Sequence, residues 1–227
     1  MDKRKFIKKT VIILITVLVV GGAGFFLGKN INDDSSANQP GSTQGTVYTN
    51  ASDMRKDLNI KLAEHVALTT EAMRASYDEH ESSTAAIDEL DKNSHDLANI
   101  IGNFYGDEPK ATFLKLWQDH ITFFINYTIS AKNNDKEGKD QALSDLEDYS
   151  QETAEFFAGL NSNLSVDSLK SLSTQHRDLI IASIDDYIEE KYPESLDEES
   201  KAFDQAGKIA DTISDGIIKQ FPDKFSE

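Results

Sequence analysis

The chain has 227 residues, with 23 basic against 40 acidic side chains and a formal net charge of −17 at pH 7. Nucleic acids and anionic membrane surfaces bind through clustered lysine and arginine, so this charge disfavours both as partners and leaves cations and basic proteins. The sequence contains no cysteine, which excludes disulfides and thiolate chemistry.

An apolar segment, residues 11–27, directly follows a basic N-terminus, residues 1–10. Its length lies at the short end of the about 17–25 residues with which a helix crosses a bilayer. By the positive-inside rule, the basic residues stay in the cytoplasm and the rest of the chain is sent outward. The sequence therefore predicts a single-pass signal-anchor over residues 11–28 that holds an extracytoplasmic domain on the cell membrane.

Cleavage is the alternative fate of this segment. Gly21 and Ala23 supply small residues at the two positions that a signal peptidase reads, so that a secreted chain would begin at Gly24. However, residues 25–27 continue the apolar run past this cut, as a membrane span would. The uncleaved anchor is therefore the preferred prediction.

A flexible tether and a helical domain follow the apolar segment. Residues 29–52 are rich in Ser, Asn, Gly and Thr, a composition typical of linkers. In residues 53–227, apolar side chains recur at three- and four-residue spacing in six successive stretches, and no β alternation occurs. The first two stretches cover residues 53–80 and 83–105.

Start and stop signals delimit the later helices. Pro109 occupies a first-turn position at the beginning of the third helix. Ser165 is a predicted N-cap of the fifth helix, which ends before Pro193. Ser195 and Glu198 have the spacing of a capping box and predict the start of the sixth helix.

A repeat connects these helices. The segments at 62–66, 117–121 and 173–177 align at intervals of about 55 residues, each with a histidine in its fourth position. A helical hairpin cannot bury its own apolar face, so such copies pack on one another. The predicted fold is therefore all-α: a bundle of about six helices built as three degenerate helical-hairpin repeats, preceded by one N-terminal transmembrane helix.

Two stretches carry a resemblance to a known family. The segments LAEHVALTTEAMRASY (62–77) and LWQDHITFFINYTISA (116–131) resemble a helical family of exported proteins of Gram-positive bacteria, some of which also carry a copper-amine-oxidase N-terminal type domain. The resemblance covers residues 55 to about 190. It implies a helical fold and an extracytoplasmic location, and it transfers no catalytic residue. No copper-amine-oxidase type domain is recognisable in this chain.

The candidate site consists of the three repeated histidines, His65, His120 and His176, each on the apolar stripe of its helix. Neutral imidazole is the commonest transition-metal side-chain ligand, and three converging histidines would suit copper or zinc, or would bind haem. In a linear stack of hairpins, equivalent atoms would lie about 10–20 Å apart. In a closed bundle they could converge.

A structural role is the competing interpretation of the same histidines. A histidine on an apolar helix face can simply form a hydrogen bond across the core, for example to Ser94, Ser150 or Tyr127. Repetition follows from duplication and does not by itself indicate function.

No enzymatic activity is predicted, because the chain has no Gly-x-Ser-x-Gly elbow, Walker loop or dinucleotide fingerprint. The predicted function is a membrane-anchored extracytoplasmic helical binding module of a bacterial cell envelope. Its partner would be an envelope protein, a peptide or a small ligand, and it would need no cofactor. The alternative is an extracytoplasmic copper or zinc protein that uses His65, His120 and His176.

Overall fold

Six long α-helices make up most of residues 51–225, the part of the chain that this computed structural model describes. They are α1 (Ala51–Tyr77), α2 (Ser82–Tyr105), α3 (Asp107–Lys132), α4 (Lys136–Leu160), α5 (Val166–Ile188) and α6 (Tyr192–Gln220), followed by a 3₁₀ turn at Pro222–Lys224. The prediction of an all-α bundle of about six helices is confirmed.

The predicted signal-anchor, residues 11–28, and the tether up to residue 50 lie outside the described residues. Among the six described helices, none combines the length and the apolar composition that a membrane span requires. The first helix begins at Ala51, two positions before the predicted start of the domain.

Side-chain capping explains where two of the helices begin. Asp135 precedes α4 and accepts a hydrogen bond from the Gly138 amide at 3.1 Å. Ser165 accepts one from the Ser168 amide at the start of α5, as predicted. These side chains satisfy backbone N–H groups that have no partner within the first turn of a helix.

The predicted start of the sixth helix is wrong. The sixth helix begins at Tyr192, three residues before the predicted N-cap Ser195, with Pro193 in its first turn. Ser195 lies inside the helix and is buried, where its hydroxyl donates to the backbone carbonyl of Ser183 at 2.7 Å. Proline predicts the end of a helix, but it is also frequent at the first positions of a helix, where its missing N–H would have no intrahelical partner.

A single residue, Gly106, joins α2 to α3. Its φ angle of 87° lies in the left-handed region, which glycine adopts without the steric penalty of a Cβ atom. Its amide donates to the carbonyl of Gly102 at 2.9 Å and so ends α2. The chain can therefore reverse within one residue and place α3 directly on α2.

The six helices close into a ring. Each helix packs on the next one in the chain, and α6 packs back on α1. In addition, α1 packs against α3 and against α5, so that the first helices of the three predicted hairpins meet in the interior. These are the helices that carry the three histidines.

Candidate functional site

The three histidines of the sequence pattern lie together in the core. The Nε2 atoms of His65 and His120 are 3.2 Å apart, and the ring centroids are 5.2 Å apart. The ring of His176 is farther out, with its centroid 6.3 Å from that of His65. These distances are shorter than the separation of about 10–20 Å expected for a linear stack of hairpins. The bundle is therefore closed, as the alternative prediction required.

Aromatic rings surround this cluster. The ring of Tyr149 stacks on His120 at a centroid distance of 4.5 Å. The indole of Trp117 lies 4.8 Å from the ring of His65 and 4.7 Å from that of His120. His65 and His120 are almost wholly buried, so their imidazole rings are surrounded by apolar side chains and not by water.

This surrounding keeps the histidines neutral. Burial, and then the nearby His176, lower the pKa of His120 to about 3, against a smaller opposing contribution from the carbonyls of Trp117 and Leu116. Burial also lowers the pKa of His176 to about 4. For His65, burial and then the other two histidines hold the pKa well below 6.5. At neutral pH every ring therefore keeps a nitrogen lone pair.

The hydrogen-bond partners predicted by the structural interpretation are not used. Ser94 and Ser150 instead donate to carbonyls on their own helices, at 2.7 and 3.0 Å. Tyr127 donates to the carboxylate of Asp185 at 2.9 Å. These side chains share the apolar helix faces with the histidines, which is why the sequence suggests them as partners. However, a serine hydroxyl in a helix readily donates a hydrogen bond to the backbone carbonyl four residues earlier.

Each of the three rings also has a buried nitrogen with no well-formed hydrogen bond, the Nδ1 atom. The Nε2 atom of His65 has two near neighbours, His120 Nε2 and the Thr69 hydroxyl at 3.5 Å. A buried polar atom without a partner costs roughly 1–3 kcal/mol.

Two of the three rings have the nitrogen spacing of a metal-bound pair. Two imidazole nitrogens bound to one tetrahedral ion at about 2.0–2.1 Å lie about 3.3 Å apart, close to the 3.2 Å between His65 and His120. The centroids of two such rings lie about 5 Å apart, and His176, at 6.3 Å, falls short by roughly one ångström. Accordingly, no group of three or more His, Asp or Glu side chains within residues 51–225 is arranged, as it stands, to hold a metal ion.

A cavity of about 50 Å³ adjoins the cluster, with His120 and His176 in its wall. Trp117, Tyr149 and Thr153 also line it. These three residues are not marked by the repeated histidine pattern of the sequence. A signal was present for Trp117, which lies one helical turn before His120, but α4 carries no histidine that would draw attention to Tyr149 and Thr153.

Comparison with known proteins adds no identification. Neither the protein-family models, nor the curated proteins, nor the solved structures give a match to this chain. The resemblance to a helical family of exported Gram-positive proteins therefore stays a prediction.

Proposed function

We propose that this protein is a membrane-anchored, extracytoplasmic metal-binding protein of a bacterial cell envelope, and that His65, His120 and His176 together hold one copper or zinc ion. The N-terminal segment, residues 11–28, would anchor it, and residues 53–227 would carry the site. No catalytic residue is part of this proposal.

The observation that carries the proposal is the pairing of two neutral, buried imidazoles in the core. The 3.2 Å between the Nε2 atoms of His65 and His120 suits one hydrogen bond in the metal-free protein and equally one edge of a tetrahedral ligand shell. Burial keeps both rings unprotonated at neutral pH, which a metal ligand requires.

The third ligand would be His176, after a displacement of roughly one ångström. His176 borders the same cavity as His120, so its ring would approach the pair from α5. Imidazole nitrogen suits both copper and zinc, so the ligand set does not choose between these two ions.

The three-hairpin repeat belongs to the same proposal. If α1–α2, α3–α4 and α5–α6 descend from one hairpin, duplication placed one histidine on the first helix of each copy. The contacts of α1 with α3 and α5 support this, because they bring those first helices to one interior. A site with three equivalent ligands would then follow from the symmetry of the bundle.

The broader prediction, an interaction module for a peptide, a small ligand or an envelope protein, stays a second candidate. One surface feature favours it: Tyr192 and Leu196, in the first turns of α6, are 51% and 60% exposed. Their apolar surface is available for a partner. This candidate does not require the histidines, so the two functions are separable by mutation.

A metal titration tests the proposal. We expect full-length protein, purified in detergent without a histidine tag, to bind one equivalent of Cu²⁺ or Zn²⁺. The melting temperature should rise, because a ligand at a hundred times its Kd stabilises the folded state by about 2.7 kcal/mol. His65→Ala, His120→Ala and His176→Ala should each remove most of this gain, as measured by metal analysis and thermal unfolding.

The chain supplies its own controls, since its other two histidines, His80 and His95, are exposed. His80→Ala and His95→Ala should bind metal like the unmodified protein. If these two variants lose as much of the metal effect as the core variants, or if no metal binds, the proposed function is wrong.

A further inference from the structure

The cavity beside the histidine cluster is apolar. Four helices, α3 to α6, form its wall around a volume of about 50 Å³, and almost all of the surface that faces it is apolar. The unpartnered nitrogen atoms of Trp117, His120 and His176 expose almost no surface. The cavity therefore offers an occupant few hydrogen-bond partners. Its apolar wall includes Phe124, Leu146, Phe157, Leu169 and Ile213.

This chemistry selects the class of the occupant. A buried water needs two to four polar partners, and a charged group needs a counter-charge as well as hydrogen bonds. An apolar molecule needs neither. Wall atoms that border a cavity lack van der Waals partners on that side, and an apolar occupant supplies them.

The size of the cavity limits the occupant further. An engineered cavity of about 150 Å³, lined by Leu, Ile and Phe in another protein, binds benzene or xenon. The cavity of about 50 Å³ in this bundle has roughly a third of that volume. It fits a molecule of about one to three non-hydrogen atoms, whereas an aromatic ring is too large.

The α5 helix is the part of the wall past which such a molecule would enter. Four residues of α5 are buried, against nine of α6. Two of the wall residues that α5 contributes, Leu172 and Ser173, are half-buried. Segments that bury few side chains open locally at a small cost in free energy, so α5 can move aside without unfolding of the bundle.

We propose that this cavity binds one small uncharged apolar molecule, of the class of dissolved gases and short hydrocarbons. The inference goes beyond the proposed metal site. The histidines contribute only wall surface to the cavity, so the metal-free protein should bind the apolar molecule.

Xenon is the probe, because it is apolar and monatomic. The experiment uses full-length protein in detergent with a chelator, with isotope-labelled isoleucine δ1-methyl groups observed by nuclear magnetic resonance. We expect xenon to shift the methyl signals of Ile209 and Ile213, which lie in the cavity wall, and the shifts should saturate with xenon pressure. Ile101, buried on α2 outside the wall, and Ile60, exposed on α1, report non-specific effects.

Two variants fill the cavity. Ala154→Val adds bulk from a buried wall residue on α4. Leu172→Phe adds a ring from the half-buried side, and it serves if the first variant does not fold. Each should weaken xenon binding at least about tenfold, since the new atoms and the occupant would overlap. Ala142→Val is the matched control, because Ala142 is buried on the same helix outside the cavity wall.

The possible results separate a specific cavity site from general contact with xenon. Saturable shifts at Ile209 and Ile213 that both filled variants abolish and Ala142→Val retains would support the proposal. Shifts that rise linearly and equally at all four isoleucines, or that survive in both filled variants, would overturn it. Magnetisation transfer from water to the two wall methyl groups, without a xenon response, would show a hydrated cavity and overturn it as well. None of these results depends on whether the histidines bind metal.

Discussion

Two groups of buried polar side chains lie in this bundle, and they are built differently. In the first, where α1, α5 and α6 meet, Arg74 forms an ion pair with Glu199 at 2.7 Å. Its guanidinium also donates to the hydroxyls of Ser183 and Ser195, at 3.2 and 3.1 Å. In the second, where α1, α3 and α5 meet, the neighbours of the histidines are one another and the aromatic rings of Trp117 and Tyr149.

The contrast shows what each group contributes. Burying a polar group is costly unless it is hydrogen-bonded, and in the first group Glu199 also accepts from Thr70 at 2.9 Å. The Nε atom of Arg74 still has no hydrogen-bond partner, but the opposite charges of Arg74 and Glu199 are paired. The histidine cluster leaves three Nδ1 atoms without well-formed partners, and a ligand that bonds them would offset this destabilising free energy.

Acidification should destabilise the metal-free protein through the histidine cluster, and this is the largest effect that we expect. The unfolded chain takes up protons below a histidine pKa of about 6.5, whereas the folded rings stay neutral until about pH 4 for His176 and about pH 3 for His120. Stability is therefore complete above pH 6.5 and is lost as the pH falls toward 4. Three buried histidines should lose roughly 5 kcal/mol between pH 7 and pH 5.

Urea unfolding in the presence of a chelator, at pH 7 and at pH 5, measures this loss. The pKa values of Glu64 and Glu147 are lowered by their hydrogen-bonding partners. Protonation of these carboxylates therefore destabilises the fold only below about pH 4.5. A variant with His65→Leu and His120→Leu should retain about a third of the pH effect. An unchanged pH effect in that variant would show that other groups cause it.

Removing Arg74 should have the next largest effect, now independent of metal. Arg74→Leu leaves Glu199 without its ion pair, and both side chains are less than one-fifth exposed, so we expect a loss of roughly 3 kcal/mol of unfolding free energy. The matched control is Arg55→Leu, whose ion pair with Asp215 is about half exposed and should cost less than about 1 kcal/mol. If Arg74→Leu and Arg55→Leu lose the same unfolding free energy, the buried ion pair of Arg74 contributes no more to stability than an exposed one.

The smallest effect should have the opposite sign. When both partners of a buried polar contact are replaced by apolar groups of similar size, the change is often neutral or stabilising. We expect the double variant His65→Leu and His120→Leu to be more stable than the metal-free protein at pH 7 by about 1 kcal/mol. Thermal unfolding with a chelator tests this. A clear loss of stability would support the structural interpretation of the histidines.

The single substitutions should not be additive. Because the Nε2 atoms of His65 and His120 are in contact at 3.2 Å, removing one ring changes the surroundings of the other, and substitutions at touching residues couple.

Much of the fold was accessible from the sequence because its signals are local. The three- and four-residue spacing of apolar side chains over residues 53–80 includes Leu58, Leu62 and Val66, and all three are buried. Ser165 was recognised as a cap because capping depends on only three neighbouring residues. Pro193 was misinterpreted because proline both ends and begins helices. Its place inside α6 goes with the tertiary contact of Ser195, whose hydroxyl bonds the Ser183 carbonyl.

The sequence by itself determined that His65, His120 and His176 lie on the apolar faces of three helices, since helical periodicity fixes which side chains share a face. Whether those faces meet was decided only by the closure of the ring, in which α6 returns to α1 and α1 reaches α3 and α5. The contact between His65 and His120 joins residues 55 positions apart, and the cavity wall combines side chains of several helices. Distances and cavities of this kind arise from packing between remote segments, for which a local pattern carries no signal.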